Sequence, residues 1–492
     1  MKTMTMMKNK IFLMILIFIS TVAHASELTD TANKDWLELV RKYTSEDLTI
    51  NFEEAENDYK WEKLINGSKR SGSFLSEWWQ AIGDDVLTEL INDAFLNNRD
   101  FMAARAKVLE ARAQLGISRA DLNPKFNFSS IYENGRNSDV EDEDIKSFNK
   151  YLIGFDSSWE IDLFGKKQNL LKAAKENLEA ENSNLDDVWV SLSAETALNY
   201  FELRILQKRL EIAKNNLNTQ SEFLEILKSQ HKSGLIDEYA VQKAYSELEI
   251  TRSNIPEISQ AINERMNVLA ILTGEIPGSL NSKLSKVKDF PNLNIEKLIG
   301  IPAETLRQRP DIRAAEKNLE AQIQKRKAAE KSYYPVIELT GSIGLESFST
   351  GHLFSSGSYT YSITPAIKWP IFSTGEIRKN ILVQTAVEKQ LLSEFESVIL
   401  KAIGEVHDAL NANAQEILRS ESLESALKLA ISNLEINKDK YIQGLINFSE
   451  VLKCRQEVYS IENDFISSEG KKFINLIALF KSLGGGWKLI AE

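Results

Sequence analysis

Residues 210 or 211 positions apart match in three separate blocks of this chain, so it contains itself twice. Asp100, Ala103, Ala104, Val108 and Pro124 meet Asp311, Ala314, Ala315, Leu319 and Pro335. Trp159, Ile161 and Gly165 meet Trp369, Ile371 and Gly375. Gly234, Leu235, Ile236, Val241, Glu247, Leu269 and Gly274 meet Gly444, Leu445, Ile446, Val451, Glu457, Leu479 and Gly484. Chance identities would scatter over many offsets, whereas these hold one register, and the fold must therefore be built from two like units. Each is predicted to run helix, strand, strand, very long helix, second long helix. The first repeat covers 76–276 and the second 301–486. Between them lies a linker at 277–300, where Pro277, Gly278 and Pro291 break the periodicity and irregular structure packed beside the helices is expected.

The long helices exclude a globular shape. Gly165 to about Gln230 holds no proline or glycine, and Glu376 to Gln443 holds only Gly404. At 1.5 Å per residue, about 65 residues make a rod of roughly 100 Å. Leu178, Leu185 and Leu192 step by seven with Val188 between them, and Phe395, Ala402 and Ala409 step by seven beside Leu391 and Val398. That spacing reads as a coiled-coil seam. Charged residues such as Lys172, Lys175, Glu176, Glu179 and Glu181 fill the other positions and suit faces turned to water. Each rod ends in a glycine turn, Gly234-Leu235-Ile236 or Gly444-Leu445-Ile446, and a second helix returns, giving helical hairpins over 165–274 and 375–484. Glycine supplies the left-handed residue that closes a helix C-terminus. The Leu-Ile pair after it fits the apolar contact of such a cap, and at the tip of a rod it also fits a surface for a partner.

Four segments alternate with period two and are predicted strands, at about 124–134, 151–161, 335–346 and 359–370. Phe126, Phe128 and Tyr132 alternate with Lys125, Asn127, Ser129 and Glu133, and Tyr151, Ile153 and Phe155 with Gly154, Asp156 and Ser158. Ile337, Leu339, Ile343 and Leu345 alternate with Glu338, Thr340, Ser342 and Gly344, and Tyr359, Tyr361 and Ile363 with Thr360, Ser362 and Thr364. A half-buried antiparallel sheet shows the same pattern, so the strand count decides between it and a membrane barrel. Closed membrane barrels use about eight strands or more, and four cannot close. An open edge in lipid leaves backbone groups unpaired at several kcal/mol each, so further copies must supply the missing strands. Three copies give twelve strands and a matching helical tube. Phe126, Phe128, Tyr151, Ile153, Phe155, Leu339, Ile343, Tyr359 and Tyr361 would then face lipid.

The N-terminus predicts export. Lys2, Lys8 and Lys10 flank the apolar run Ile11 to Ile19, and Ala23-His24-Ala25 precedes Ser26, the pattern of a cleaved signal peptide over 1–25. Residues 26–75 would form an N-terminal periplasmic or equatorial segment outside the repeat, and 487–492 a C-terminal tail. The chain has 59 basic and 71 acidic residues, and loss of the three signal lysines moves the net charge from -12 to -15. Nucleic acid is an unfavourable partner for such a surface. Cys454 is the only cysteine, and His24, His231, His352 and His407 are scattered. No nucleophile elbow, phosphate loop or metal-ligand spacing is present, so no enzyme activity and no cofactor or metal is expected.

Several ordered motifs resemble the TolC-type outer-membrane factor family, on its NodT and OprM branch. They are Ser76-Glu77-Trp78-Trp79-Gln80, the helix Ala103 to Arg119, Trp159-Glu160-Ile161-Asp162-Leu163-Phe164-Gly165, and Arg309-Pro310-Asp311-Ile312-Arg313-Ala314-Ala315-Glu316. The resemblance runs from about Phe74 to Trp487. It implies a mixed α and β membrane protein, a homotrimer with a 12-stranded β-barrel in the outer membrane and a long α-helical barrel across the periplasm. It also implies a tripartite efflux system, in which the duct passively releases small toxic compounds. Its partners would be a periplasmic adaptor and an inner-membrane pump, RND type favoured and ABC type the alternative. Type I protein secretion uses the same kind of duct, and a periplasmic coiled-coil scaffold without a pore is the alternative from another class.

The resemblance assigns Gly234, Leu235, Ile236, Gly444, Leu445 and Ile446 to adaptor-docking tips, and Ser449, Glu450 and Lys453 to a periplasmic gate. This sequence departs from the branch twice. Ser26 stands after the predicted cleavage where much of this branch carries a lipid-modified cysteine, so no N-terminal acyl anchor is expected. Lys453 stands where relatives often carry an aspartate, and three lysines converging there would repel unless Glu450 offset them. An exposed lysine without a gating role fits the same position.

Overall fold

The computed structural model describes residues 77–137, 146–291 and 308–486. The signal peptide, residues 26–75, the acidic loop at Glu141 to Asp144, the end of the linker and the C-terminal tail lie outside the described residues.

After a 3-10 turn at Trp78–Ile82 come α1 (Asp85–Asn97) and α2 (Arg99–Ala120), then strands β1 (Lys125–Asn137) and β2 (Lys146–Ile161). Helices α3 (Lys166–Lys232) and α4 (Glu238–Leu272) form the first hairpin, followed by the short α5 (Asn281–Leu284). The second half repeats the order: α6 (Pro310–Glu330), β3 (Val336–Ser347), β4 (Tyr359–Lys368), α7 (Thr374–Ile442) and α8 (Phe448–Ser482). The α6 helix opens on Pro310, whose missing N–H costs nothing in a first turn, with Asp311 near the positive end of the dipole. Two strands run longer than their apolar alternation. β1 continues to Asn137 and β2 starts at Lys146, because the backbone ladder goes on pairing through polar residues such as Asn134 and Asn149. β4 ends sooner, at Lys368, ahead of Pro370, which has no N–H to donate.

The helices lie side by side in one layer. Nearest the sheet, α2 packs on α3, α3 on α6 and α6 on α7; toward the tips, α4 packs on α3, α3 on α8 and α8 on α7. Thus α3 has neighbours on both sides throughout, whereas α7 borders the layer. Burial follows: 21 of 67 residues are buried in α3 but nine of 69 in α7, so α7 leaves most of its surface without a partner inside the chain.

The main core is a belt around the middle of α3. Tyr200, Phe201 and Leu203 meet Trp78, Leu90 and Ile91 from the N-terminal elements, Leu269 from α4, and Phe473, Ile477 and Phe480 from α8. Trp78 stacks on Phe480 at 5.3 Å and Phe201 on Phe473 at 4.5 Å. Burying such a side chain is worth about 1.5–3 kcal/mol, so this belt fastens the rods where each would otherwise be a lone helix. One short turn of helix, Asn281–Leu284, interrupts the otherwise irregular described part of the linker. Leu280 and Leu284, one helical turn apart, are both buried in the belt.

Candidate channel wall, latches and tips

The four strands form one antiparallel sheet in the order β1-β2-β3-β4. Their register sets Phe128, Phe155, Ile343 and Tyr361 in a single row, and Ile153, Leu345 and Tyr359 in a neighbouring one. All nine residues expected to face lipid lie on this face. The other face carries the row Asn127, Asp156, Ser342 and Ser362, with Lys150 and Glu346 paired at 3.1 Å and Lys368 bonded to Glu338. A sheet packed on a core would cover its apolar side. Here Phe126 is 73% exposed, Phe128 63% and Tyr361 69%.

The direction of curvature follows from Gly154 and Gly344, which face one another across β2 and β3 on the polar side. A Cβ on Gly154 would lie 2.7 Å from the Ile343 carbonyl oxygen and 3.0 Å from the Gly344 Cα. Such close approach at paired glycines marks a bend in the strands, and a bend toward the glycine side makes the polar face concave and the apolar face convex. Within the described residues β1 and β4 pair on one side only. Such free edges are stable in lipid only if another strand covers them.

The junctions between sheet and helices repeat with the sequence. Trp159 donates from Nε1 to the Leu122 carbonyl at 2.9 Å, and Trp369 to the Tyr333 carbonyl at 3.1 Å. Both tryptophans therefore anchor a strand end to the turn that precedes the other strand of its hairpin. A second pair of contacts closes each helical hairpin. Asn98 donates to the Leu272 carbonyl at the end of α4, at 3.0 Å, and also accepts from the Phe101 N–H as the cap of α2. Arg309, in the equivalent place before α6, donates to the Ser482 carbonyl at the end of α8, at 2.6 Å. Its guanidinium also binds Asp311 through two bonds, at 3.0 and 2.7 Å, and Glu405 of α7 at 2.8 Å. These latches were not singled out by sequence reasoning, although the 211-residue offset pairs Asn98 with Arg309.

At the far end the two hairpin turns sit together. The Leu235 N–H reaches the Gln230 carbonyl at 3.0 Å and the Leu445 N–H the Lys440 carbonyl at 2.9 Å, closing each helix around a left-handed glycine, Gly234 at φ 72° and Gly444 at φ 74°. Tyr441 donates to Gln230 at 2.8 Å, and Phe223 stacks on Phe448 at 5.1 Å. The Leu-Ile pairs are divided between two roles. Ile236 and Ile446 pack into a cluster with Leu227, Leu248 and Val451, while Leu235 and Leu445 remain 74% and 67% exposed. Beside them Tyr239 and Ile442 are exposed too, so the tip presents an apolar patch. Ser449, Glu450 and Lys453 lie on the first turns of α8. The Lys453 ammonium donates to Glu450 at 2.8 Å, and that bond pushes the lysine further above its ordinary range. The counter-charge expected beside Lys453 is thus supplied within the chain.

A curved wall with an apolar convex face, open at both edges and continued by a layer of rods that is also open at both edges, defines one protomer of an oligomeric membrane channel. Among the described residues no helix is long and apolar enough to cross a membrane. The outer membrane efflux protein family matches the chain twice, over residues 90–275 and 301–485, once for each repeat. The toluene efflux pump outer membrane protein TtgF of Pseudomonas putida is 30% identical over 423 residues, covering 84% of this chain and 86% of that protein. The cation efflux system protein CusC of Escherichia coli K12 is 28% identical over 418 residues, covering 83% and 88%. Among solved structures, the outer-membrane channel OprN superposes with a TM-score of 0.83 at 28% identity, over 88% of this chain and 96% of that one. The chain belongs to the outer membrane efflux protein family. It is an outer-membrane exit channel, a homotrimer whose twelve strands close one barrel above a periplasmic tube of helices.

Proposed function

We propose that this channel is the passive duct of a tripartite pump, releasing small toxic compounds handed on by an inner-membrane transporter of RND type through a periplasmic adaptor. The observation that carries the reading is the two-faced sheet. Phe126, Phe128, Tyr151, Ile153, Phe155, Leu339, Ile343, Tyr359 and Tyr361 turn to lipid, and a concave polar face lines the exit. Its charges are largely neutralised by neighbours, as in Lys150 with Glu346 and Glu338 with Lys368, so cargo passes a hydrated wall with few uncompensated charges to hold it. The relatives named for toluene and for cations handle small solutes, which favours such cargo over a polypeptide.

At the periplasmic end, Gly234 to Ile236 and Gly444 to Ile446 are the adaptor-docking tips. The glycines close the turns, the isoleucines hold them to the helices, and Leu235 and Leu445 face the adaptor. Ser449, Glu450 and Lys453 form the gate. The pairing of Lys453 with Glu450 lets three subunits converge without three bare cations.

The test is complementation of a Gram-negative strain lacking its own channel, scored by growth with organic solvents and dyes. Resistance should return only when this chain is expressed with its adaptor and pump. Export of a polypeptide with no gain in resistance would replace the cargo reading by protein secretion.

A further inference from the structure

We infer that the internal repeat fixes the register in which β4 of one copy pairs with β1 of the next. The inference rests on closure of the sheet by further copies and goes on to name the partner of each edge residue. Inside the chain, the offsets already predict pairing. Moving β1 by 211 and β2 by 210 converts Phe128↔Phe155 into Leu339↔Pro365 and Lys125↔Ser158 into Val336↔Lys368, and both are observed pairs. The two hairpins therefore share one register to the residue.

The pairing of β2 with β3 has its counterpart across the boundary between copies, where β4 stands for β2 and β1 of the neighbour stands for β3. Applying the same offsets within β4, Ser157↔Gly341 becomes Ile367↔Ser130, Phe155↔Ile343 becomes Pro365↔Tyr132, and Gly154↔Gly344 becomes Thr364↔Glu133. Two independent features agree with this result. It brings convex-face residues opposite convex-face residues, as any unbroken barrel wall requires, and a slip of one residue would reverse every side chain. It also sets Ile367, 74% exposed, diagonal to Phe128 of the next copy, 63% exposed, within reach of a cross-strand contact. The crease at Gly154 and Gly344 does not recur at the boundary, since Thr364 and Glu133 carry Cβ atoms; the wall is flatter there than between β2 and β3.

The same translation extends into the helices. Within the chain Lys317 of α6 binds Glu176 of α3 at 3.1 Å. Its counterpart is Ala106 of α2 against Ala386 of the neighbour's α7, both exposed in the single chain, so a close apolar contact replaces an ion pair.

Disulfide trapping in the full-length protein tests the register. In a Cys454→Ala background, Glu133→Cys with Thr364→Cys, and separately Ser130→Cys with Ile367→Cys, are expressed in the outer membrane and oxidised. β1 and β4 are separated by two strands in one chain, about 14 Å, so any bond formed is between copies. Covalent dimers and trimers are expected for both pairs, which sample the two faces of the ladder. Thr364→Cys with Ile131→Cys or Gly135→Cys should give none, because two residues of slip separate Cα partners by about 7 Å. Cross-linking of a slipped pair in place of the in-register pairs would overturn the register while leaving the closed barrel intact. Absence of cross-links in every pair, from protein that reaches the membrane, would overturn closure and register together.

Discussion

Where α4 ends, Asn98 holds its last turn through one neutral hydrogen bond to Leu272, whereas Arg309, at the same place in the second repeat, holds α8 through a charge that Asp311 and Glu405 hold in turn. Duplication kept the position of the latch and changed its chemistry. The surroundings explain the change. α3 is packed on both sides, so the first hairpin is secured along its length. α7 borders the layer with few buried residues, and the arginine ties α6, α7 and α8 together at one point.

The comparison is broken most severely by Arg309→Met. The substitution removes the bond to Ser482 and leaves Asp311 and Glu405 without their cation. A loss of about 3 kcal/mol is expected, the low end for breaking a buried pair because Glu405 is half exposed. Denaturant unfolding of the detergent-solubilised trimer measures it. Asn98→Ala should cost less, about 1–2 kcal/mol for a cap and a carbonyl bond lost together. Equal effects at the two positions would show that the charge adds nothing.

The third effect depends on pH. Burial in the helix layer, opposed by Arg313 at 3.9 Å, pushes the Asp186 carboxyl up to about 6. A carboxyl raised on folding binds its proton more tightly in the native state, so its contribution to stability is full below about pH 4 and is lost as pH rises through 6. Asp186→Asn should remove that loss and raise stability at neutral pH by about 1–2 kcal/mol, after allowance for solvent screening, with little change at pH 4. A variant whose gain is the same at both pH values would contradict the assignment.

The smallest stability effect is expected at Leu445 on the tip. Leu445→Ser exposes nothing new and should shift stability by less than about 0.5 kcal/mol, while Ile446→Ala, which opens the tip cluster, should cost about 1–2 kcal/mol or more. Resistance in the complementation assay should follow the opposite order, because Leu445 is the residue proposed to face the adaptor.

Much of this architecture is legible in the sequence because its signals are local. Period-two alternation marks the strands, proline-free runs mark the rods, and Gly234 and Gly444 mark the turns. The features that escape are settled by distant partners. The start of β2 at Lys146 is invisible because only pairing with β1 makes those polar residues a strand, and α5 appears only once Leu280 and Leu284 are seen to be buried together. The division of the Leu-Ile pairs needs the neighbouring hairpin, since Ile236 and Ile446 share one cluster. Asn98 and Arg309 are dissimilar residues, so a search for identities passes over the place where the repeat is most informative.

The central claim is that four strands per chain make a channel only when three chains share them. Single-channel recording on size-separated fractions tests it most directly, with oligomeric state fixed by light scattering in the same detergent. The trimer should conduct in discrete steps through a planar bilayer and the separated monomer should not. Conductance from the monomer, or a purified trimer that inserts and stays silent under every applied voltage and with the proposed gate pair removed by Glu450→Gln and Lys453→Met, would contradict the account.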